Sequence, residues 1–138
     1  MCGFLGFIGS PNKGFERRWM QAQPLQYHRG PDNQTEKRFL FKKHKLFLGF
    51  QRLCIIDLNS SANQPMVSEK DDTLIIFNGE IYNHAELARQ HLEPAGISNS
   101  SGTETETLIN LHDHVRPENV HLSLSGMFTY VIHDTQEQ

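Results

Sequence analysis

The stretch Met1-Cys2-Gly3-Phe4-Leu5-Gly6-Phe7-Ile8 opens the chain, and it combines a candidate nucleophile with a predicted strand. Loss of the initiator methionine, which a small second side chain permits, leaves Cys2 with a thiol and a free α-amine. An α-amine has a pKa of about 7.7–8.0, so it can take up a proton near neutral pH. Cys2 then carries a nucleophile and a base on one residue. The alternative is that Cys2 only begins a buried strand over Gly3–Ile8.

Composition narrows the class of protein. With 138 residues, 37% of them hydrophobic and 21% charged, the chain is predicted to form one domain with a single core. Its net charge of −3 argues against a nucleic-acid partner. Two cysteines do not make a disulfide framework, and the start of the chain lacks a signal peptide, so we expect a cytoplasmic protein. No apolar run is long enough for a membrane span, and no His or Cys spacing predicts a metal site.

Local patterns predict a mixture of strands and helices. Strands are expected at 38–41, 45–50, 74–77 and 127–133, and helices at 15–25, at 84–91 and after residue 103. The last strand is apolar on both faces, which predicts a position inside a layered core. Because the strands come in clusters and the helices follow, the predicted fold class is α+β.

Shorter signals predict the ends of these elements. The dipeptide Asn78-Gly79 predicts a tight turn with positive φ. The pairs Asn83/Glu86 and Thr103/Glu106 predict side-chain caps at two helix starts. Beyond the second cap, Leu108, Leu111, His112 and Val115 share one helix face.

Several segments follow one another in an informative order. They are Met1-Cys2-Gly3, His28-Arg29-Gly30-Pro31-Asp32, Arg52-Leu53-Cys54-Ile55-Ile56-Asp57, Gln64-Pro65-Met66, Phe77-Asn78-Gly79-Glu80-Ile81-Tyr82-Asn83 and Gly126-Met127-Phe128. Together they resemble the glutaminase domain of glutamine-dependent asparagine synthetases, a class II glutamine amidotransferase domain, from residue 1 to about residue 134.

The resemblance implies a four-layer αββα sandwich of the N-terminal nucleophile hydrolase type. It implies hydrolysis of the glutamine side-chain amide to glutamate and ammonia, with no cofactor in this chain. The ammonia would pass to a synthetase domain or subunit, which would use ATP and Mg²⁺. Relatives continue past residue 138, so we expect an amidotransferase domain over 1–138 that is incomplete at its C-terminus and has no synthetase domain. Strand edges left open in such a domain would be covered by a partner or a homodimer.

The same resemblance implies catalytic roles. Cys2 would attack the amide carbon of glutamine, and its α-amine would move the proton. The side-chain amide of Asn78 and the backbone N–H of Gly79 would stabilise the oxyanion. His28–Asp32 is assigned to loop structure near the site rather than to catalysis.

Further residues are implied to bind the substrate. Arg52 would bind the α-carboxylate, since a guanidinium can make a bidentate contact. The backbone of Leu53, Cys54, Ile55 and Ile56 would line the pocket, and Glu80 would contact the substrate. Relatives carry an aspartate for the α-ammonium where this chain has Glu104, whose carboxylate lies one methylene further out. Glu104 can equally be an acid that favours the start of a helix.

Other functions remain open from the sequence. Glu104 and the early C-terminus would also fit a non-catalytic remnant of the domain that acts as a binding or interaction module. A hydrolase of the N-terminal nucleophile type acting on another amide is a third reading. The motif around Arg52 and Asn78-Gly79-Glu80 favours glutamine.

Overall fold

The computed structural model describes residues 2–41, 43–54, 63–68, 73–115 and 120–134. Contacts within the chain define two units, one ending at Pro65 and the other beginning at Met66. Each unit contains a three-stranded antiparallel sheet together with helices, which confirms the predicted α+β class. Within the described ranges, no helix is long and apolar enough to cross a membrane.

The N-terminal unit is a sheet with helical segments packed beside it. Its elements are β1 (Gly3–Gly9), α1 (Phe15–Ala22), a 3-10 helix (Gln23–Arg29), β2 (Asn33–Phe41) and β3 (His44–Arg52). β3 is the central strand, in the order β1-β3-β2. Gly3 pairs with Gln51 and Asn33 pairs with Arg52. The start of β1, the start of β2 and the end of β3 therefore meet at one end of the sheet.

An aromatic cluster holds α1 against this sheet. The ring of Phe15 lies 4.3 Å from the ring of Phe7 and 5.0 Å from that of Phe47, measured between centroids. Trp19 lies 5.4 Å from Phe47 and is buried. Aromatic pairs at such separations add to the stabilisation that burial supplies. The spacing of Phe15 and Trp19, one helical turn apart, explains why α1 forms at this place.

The predicted strands of this unit are confirmed, and both are longer than expected. The predicted helix over 15–25 is too long, because α1 ends at Ala22 and a 3-10 helix follows. Pro24 lies in the first turn of that 3-10 helix, where its missing N–H is tolerated, whereas an α-helix interior would not accept it. The prediction that Gly3–Ile8 is buried is wrong. β1 is an edge strand whose side chains alternate, and Ile8 is 62% exposed.

The C-terminal unit contains the second sheet. Its elements are β4 (Met66–Val67), β5 (Thr73–Ile81), α2 (His84–Leu87), α3 (Glu104–Asn110), α4 (Val120–Ser123) and β6 (Gly126–Asp134). Wider helical turns prolong α2 through Leu92 and α3 through Val115. β5 is the central strand, in the order β4-β5-β6. The helix predicted at 84–91 is thus confirmed, although only its first turn is a regular α-helix.

One face of β5 forms the core of this unit. The core cluster consists of Ile75, Phe77, Ile81, Leu87, Leu92, Leu108, Ile109, Leu111 and Val120. Leu108 and Leu111 are almost fully buried, as their shared helix face predicted, and Val115 packs against the cluster. The helices α2 and α3 therefore cover the face of β5 that carries Ile75, Phe77 and Ile81.

The prediction that β6 is buried on both faces is wrong. Met127 is 72% exposed and Val131 is 37% exposed, whereas Phe128, Tyr130 and Ile132 pack against the core. Among the strands that the structure describes, β6 is paired with β5 alone, in an unbroken register from Ile81↔Gly126 to Thr73↔Asp134. An apolar composition does not distinguish a central strand from an edge strand with one covered face.

The two predicted helix caps have different outcomes. Asn83 makes no cap at α2, so that prediction is wrong. Its side chain instead donates to the carbonyl of Ser123 at 2.8 Å and accepts from the N–H of Ser125 at 2.9 Å. Thr103 does cap α3, because its hydroxyl accepts from the N–H of Glu106 at 3.3 Å.

Candidate active site

Cys2 lies at the end of the N-terminal sheet, directly before β1. Its sulfur accepts a hydrogen bond from the N–H of Leu53 at 3.4 Å, and it donates to the carbonyl of the same residue at 3.8 Å. Cys2 is half-buried and forms no disulfide. The backbone just beyond β3 therefore holds the thiol in a defined position, one residue before β1 begins.

Arg52 is the last residue of β3 and is only 7% exposed. Its Nη1 donates to the side-chain oxygen of Asn63 at 2.6 Å. The neighbouring residue Gln64 is tied to β2, because the hydroxyl of Thr35 donates to its carbonyl. A guanidinium held in one orientation loses little freedom when it binds a carboxylate. No sequence signal pointed to Asn63, whose role depends on where the chain returns after residue 62.

The Gly30-Pro31-Asp32 loop packs against the end of β3. The N–H of Asp32 donates to the carbonyl of Arg52 at 3.0 Å, and its carboxylate accepts from the N–H of Cys54 at 2.7 Å. A Cβ at Gly30 would lie 2.4 Å from the carbonyl oxygen of Gln51, so only glycine permits this approach. The loop prediction is confirmed for Gly30–Asp32, whereas His28 and Arg29 belong to the 3-10 helix. The sequence did not indicate the contacts of Asp32.

The N-terminal unit thus brings part of the expected site together. Cys2, Leu53, Cys54 and Arg52 lie within one small region at the end of β3. Ile55 and Ile56 lie outside the described residues.

The Asn78-Gly79 dipeptide does not form the predicted turn. β5 runs straight through it, and Asn78 and Gly79 pair with Thr129 and Phe128 of β6. The expected positive φ is present, at 139° for Gly79. Its cause is a close approach of the two strands, because a Cβ at Gly79 would lie 2.2 Å from the carbonyl oxygen of Met127. Long-range strand pairing has overridden the local turn preference.

The remaining expected residues lie on different sides of the C-terminal sheet. Side chains alternate along a strand, so Asn78 and Glu80 project from the face opposite Phe77. Asn78 is half-buried and Glu80 is exposed. Glu104 is the first residue of α3 and is half-buried, and α3 packs on the face that carries Phe77. Glu104 therefore lies in the helix layer of this unit.

The segment before Glu104 is organised by Glu106. The carboxylate of Glu106 accepts from the backbone N–H groups of Ser100 and Ser101, each at 2.6 Å, and from both serine hydroxyls. Desolvation by burial acts to raise the pKa of Glu106, but these hydrogen bonds together outweigh it and lower the pKa below its ordinary value.

We expect Glu106 to make stability depend on pH in the acid range. Because its pKa is lower in the folded chain than in the unfolded chain, its contribution is present above the unfolded value of about 4.3 and is lost as the pH falls through the folded value. The free energy of unfolding, measured in urea between pH 3 and pH 7, should therefore fall more steeply below about pH 4.3 in the wild type than in Glu106→Gln. Parallel curves for the two proteins would contradict this.

Across the described ranges, no group of His, Cys, Asp or Glu side chains is arranged to hold a metal ion. The arrangement at the end of β3 instead offers a thiol, a buried cation and backbone hydrogen-bonding groups. Such a set is suited to binding a carboxylate and attacking a carbonyl carbon nearby.

Comparison with known proteins identifies the family. The sequence profile of a family described as "Glutamine amidotransferase domain" matches residues 1–138. The chain belongs to this family. The resemblance inferred from the motifs is thereby confirmed over the length that they span.

The amidotransferase domain is also similar to curated full-length proteins. It is 35% identical over 136 residues to "Asparagine synthetase [glutamine-hydrolyzing] 1" of Bacillus subtilis, covering 96% of this chain and 20% of the relative. It is 33% identical to "Asparagine synthetase [glutamine-hydrolyzing]" of Asparagus officinalis, covering 99% of this chain and 22% of the relative. "Putative asparagine synthetase [glutamine-hydrolyzing] 2" of Methanocaldococcus jannaschii is 29% identical, over 99% of this chain and 28% of the relative. The chain thus spans between a fifth and just over a quarter of the length of these relatives.

Proposed function

We propose that this amidotransferase domain hydrolyses the side-chain amide of glutamine to glutamate and ammonia, with Cys2 as the nucleophile. The observation that carries the proposal is the position of the Cys2 sulfur on the backbone of Leu53, the residue that follows the buried Arg52. The family match and the names of the relatives, which are glutamine-hydrolysing, support the choice of substrate.

The reaction uses groups that belong to one residue. With Met1 removed, the α-amine of Cys2 takes the thiol proton as the sulfur attacks the amide carbon. The tetrahedral intermediate collapses, the carbon–nitrogen bond breaks, and the proton passes to the leaving ammonia. A thioester remains. Water then gives a proton to the same amine, attacks the thioester and releases glutamate, which returns the thiol.

Charge that develops on the amide oxygen needs fixed donors. We assign this role to the side-chain amide of Asn78 and the backbone N–H of Gly79. In other hydrolases the loss of one such donor costs about 2.7–4 kcal/mol of transition-state stabilisation. The support for this assignment is the sequence motif and the uninterrupted strand, which gives both residues a rigid backbone.

The two charged ends of glutamine need partners of opposite charge. We assign the α-carboxylate to Arg52, whose orientation is fixed by Asn63. We assign the α-ammonium to Glu104, and we keep Glu80, which lies on the opposite face of β5, as a separate substrate contact that rests on the sequence motif alone. The backbone of Leu53, Cys54, Ile55 and Ile56 would line the pocket. Glu104 lies in the first turn of α3, which Thr103 caps, so its backbone is well fixed. Its side chain is one methylene longer than that of the aspartate in relatives.

The proposal also covers the overall fold of the domain and the use of the ammonia that it releases. The four-layer αββα sandwich of N-terminal nucleophile hydrolases is the fold that the family resemblance implies for this domain. The ammonia would serve an amidation such as asparagine formation in a synthetase domain or subunit, which would use ATP and Mg²⁺. The relatives are several times longer than this chain, which leaves room for such a domain. A homodimer and a cytoplasmic location remain predictions from the sequence.

Intact mass spectrometry with a glutamine-analogue electrophile tests the proposed nucleophile. We expect the purified protein to lack Met1 and to gain one label, located on Cys2 by peptide mapping. The Cys54→Ala variant should gain the same label, because its other thiol is intact. Retained Met1, or a label found on Cys54, would contradict the proposal. Stable binding of glutamine without turnover would favour the non-catalytic reading.

A further inference from the structure

The two peptide groups on either side of Leu53 each contact both Asp32 and the sulfur of Cys2. In the Arg52–Leu53 peptide, the carbonyl accepts from the N–H of Asp32 at 3.0 Å, while the N–H donates to the sulfur of Cys2 at 3.4 Å. In the Leu53–Cys54 peptide, the N–H donates to the carboxylate of Asp32 at 2.7 Å, while the carbonyl lies 3.8 Å from the same sulfur. Asp32 and the nucleophile therefore act on the same two peptide planes.

From this arrangement we infer that Asp32 is a positioning residue for the Cys2 sulfur, acting through the backbone of Leu53. The inference rests on the proposed function, in which that sulfur attacks glutamine. Asp32 is exposed and bonds the backbone of Arg52 and Cys54, so it acts on the sulfur indirectly. A hydrogen bond from an N–H to a carboxylate is among the stronger kinds, and bonds that share a peptide group reinforce one another.

Asp32 is itself firmly placed, as a positioning residue must be. Gly30 lies too close to Gln51 for any side chain, which fixes the loop against β3. Asn33, the next residue after Asp32, already pairs with Arg52 in the sheet. Contacts with β3 on both sides of Asp32 thus fix the backbone that carries its carboxylate. Loss of the carboxylate would free the Leu53–Cys54 peptide and, with it, the sulfur.

Positioning of a nucleophile has a characteristic kinetic effect. A displacement of about 1 Å can cost on the order of 10²-fold in rate without weakening substrate binding equally. We therefore expect Asp32→Ala to lower kcat for glutamine hydrolysis by about 10²-fold, with KM changed by less than about threefold. Asp32→Asn keeps an oxygen that can accept from Cys54, so its kcat should stay within about tenfold of the wild type.

The experiment compares these two variants with Glu16→Ala, which removes an exposed carboxylate paired with Arg38 in the same unit. Glutamate release gives kcat and KM, and amide hydrogen exchange at Leu53 and Cys54 gives the local order directly. Faster exchange at both amides is expected in Asp32→Ala only, with Glu16→Ala matching the wild type.

The outcomes separate the positioning role of Asp32 from the proposed hydrolysis of glutamine. If Asp32→Ala leaves kcat and exchange unchanged, or if Asp32→Asn loses as much activity as Asp32→Ala, the role of Asp32 is overturned while the proposed function stands. If the wild type releases no glutamate, the proposed function fails, and the exchange data alone decide whether Asp32 orders the backbone beside the thiol. If Asp32→Ala does not fold, Asp32→Leu, which also lacks an acceptor for the Cys54 N–H, takes its place, with the same expected fall in kcat and the same contradicting outcome.

Discussion

Replacing Cys2 with alanine is expected to abolish glutamine hydrolysis, with a fall in kcat of about 10⁴-fold or more. Alanine keeps the backbone of the residue and removes the sulfur that Leu53 holds by its N–H and carbonyl. Without the thiol there is no thioester, and the remaining groups can only bind glutamine and polarise its amide. The measurement is glutamate release from glutamine by the purified protein under saturating substrate.

The controls for this variant separate chemistry from folding. The free energy of unfolding of Cys2→Ala should lie within about 1 kcal/mol of the wild type, because the half-buried sulfur makes only weak hydrogen bonds. Glutamine should still raise the melting temperature if Arg52 and the pocket are intact. Equal rates of glutamate release in the wild type and in Cys2→Ala would remove Cys2 from the reaction and, with it, the proposed mechanism.

Much of the N-terminal unit could be predicted because its signals are local. The two adjacent strand patterns at 38–41 and 45–50 correctly indicated β2 and β3, which pair as neighbours in the sheet. In the C-terminal unit, the hydroxyl cap of Thr103 was correct for the same reason, since a cap depends on residues within one helical turn, whereas the carboxylate of Glu106 bonds Ser100 and Ser101 instead of completing the pair. The order of short motifs along the chain indicated the family, and the family profile confirmed it.

Features that depend on distant parts of the chain were predicted poorly. Asn78-Gly79 was expected to turn, but β6, which lies about 50 residues later, pairs across it and keeps it extended. Asn83 was expected to cap α2, but its side chain reaches the segment before β6 instead. In both cases a tertiary contact satisfied the polar groups that a local motif would otherwise use.

The same limit applies to the candidate site. The types of residue that carry the chemistry could be named from the sequence, because a thiol at the second position and an arginine within a motif are local facts. The residues that hold them in place could not, since Asp32 and Asn63 contact the end of β3 only after the chain has folded back on it.

A large effect on stability is expected at Gly79. An added Cβ would lie 2.2 Å from the carbonyl oxygen of Met127 and 2.5 Å from the Cα of Phe128, both backbone atoms of β6. The φ of 139° is in addition a conformation that residues with a Cβ rarely adopt. Backbone strain of about 1–3 kcal/mol and overpacking of about 1–3 kcal/mol act together. We therefore expect Gly79→Ala to lower the free energy of unfolding by about 2–6 kcal/mol.

Gly96→Ala is the matched control, because it separates backbone strain from the clash between strands. Gly96 also has a positive φ, of 75°, but no atom lies within 4 Å of its added Cβ. Its substitution should therefore cost only about 1–2 kcal/mol, the strain alone. Urea unfolding followed by circular dichroism measures both variants. A loss in Gly79→Ala no larger than that in Gly96→Ala would show that β5 and β6 do not approach as closely as described. A much larger loss would explain why glycine is needed at Gly79 independently of its proposed role as an oxyanion donor.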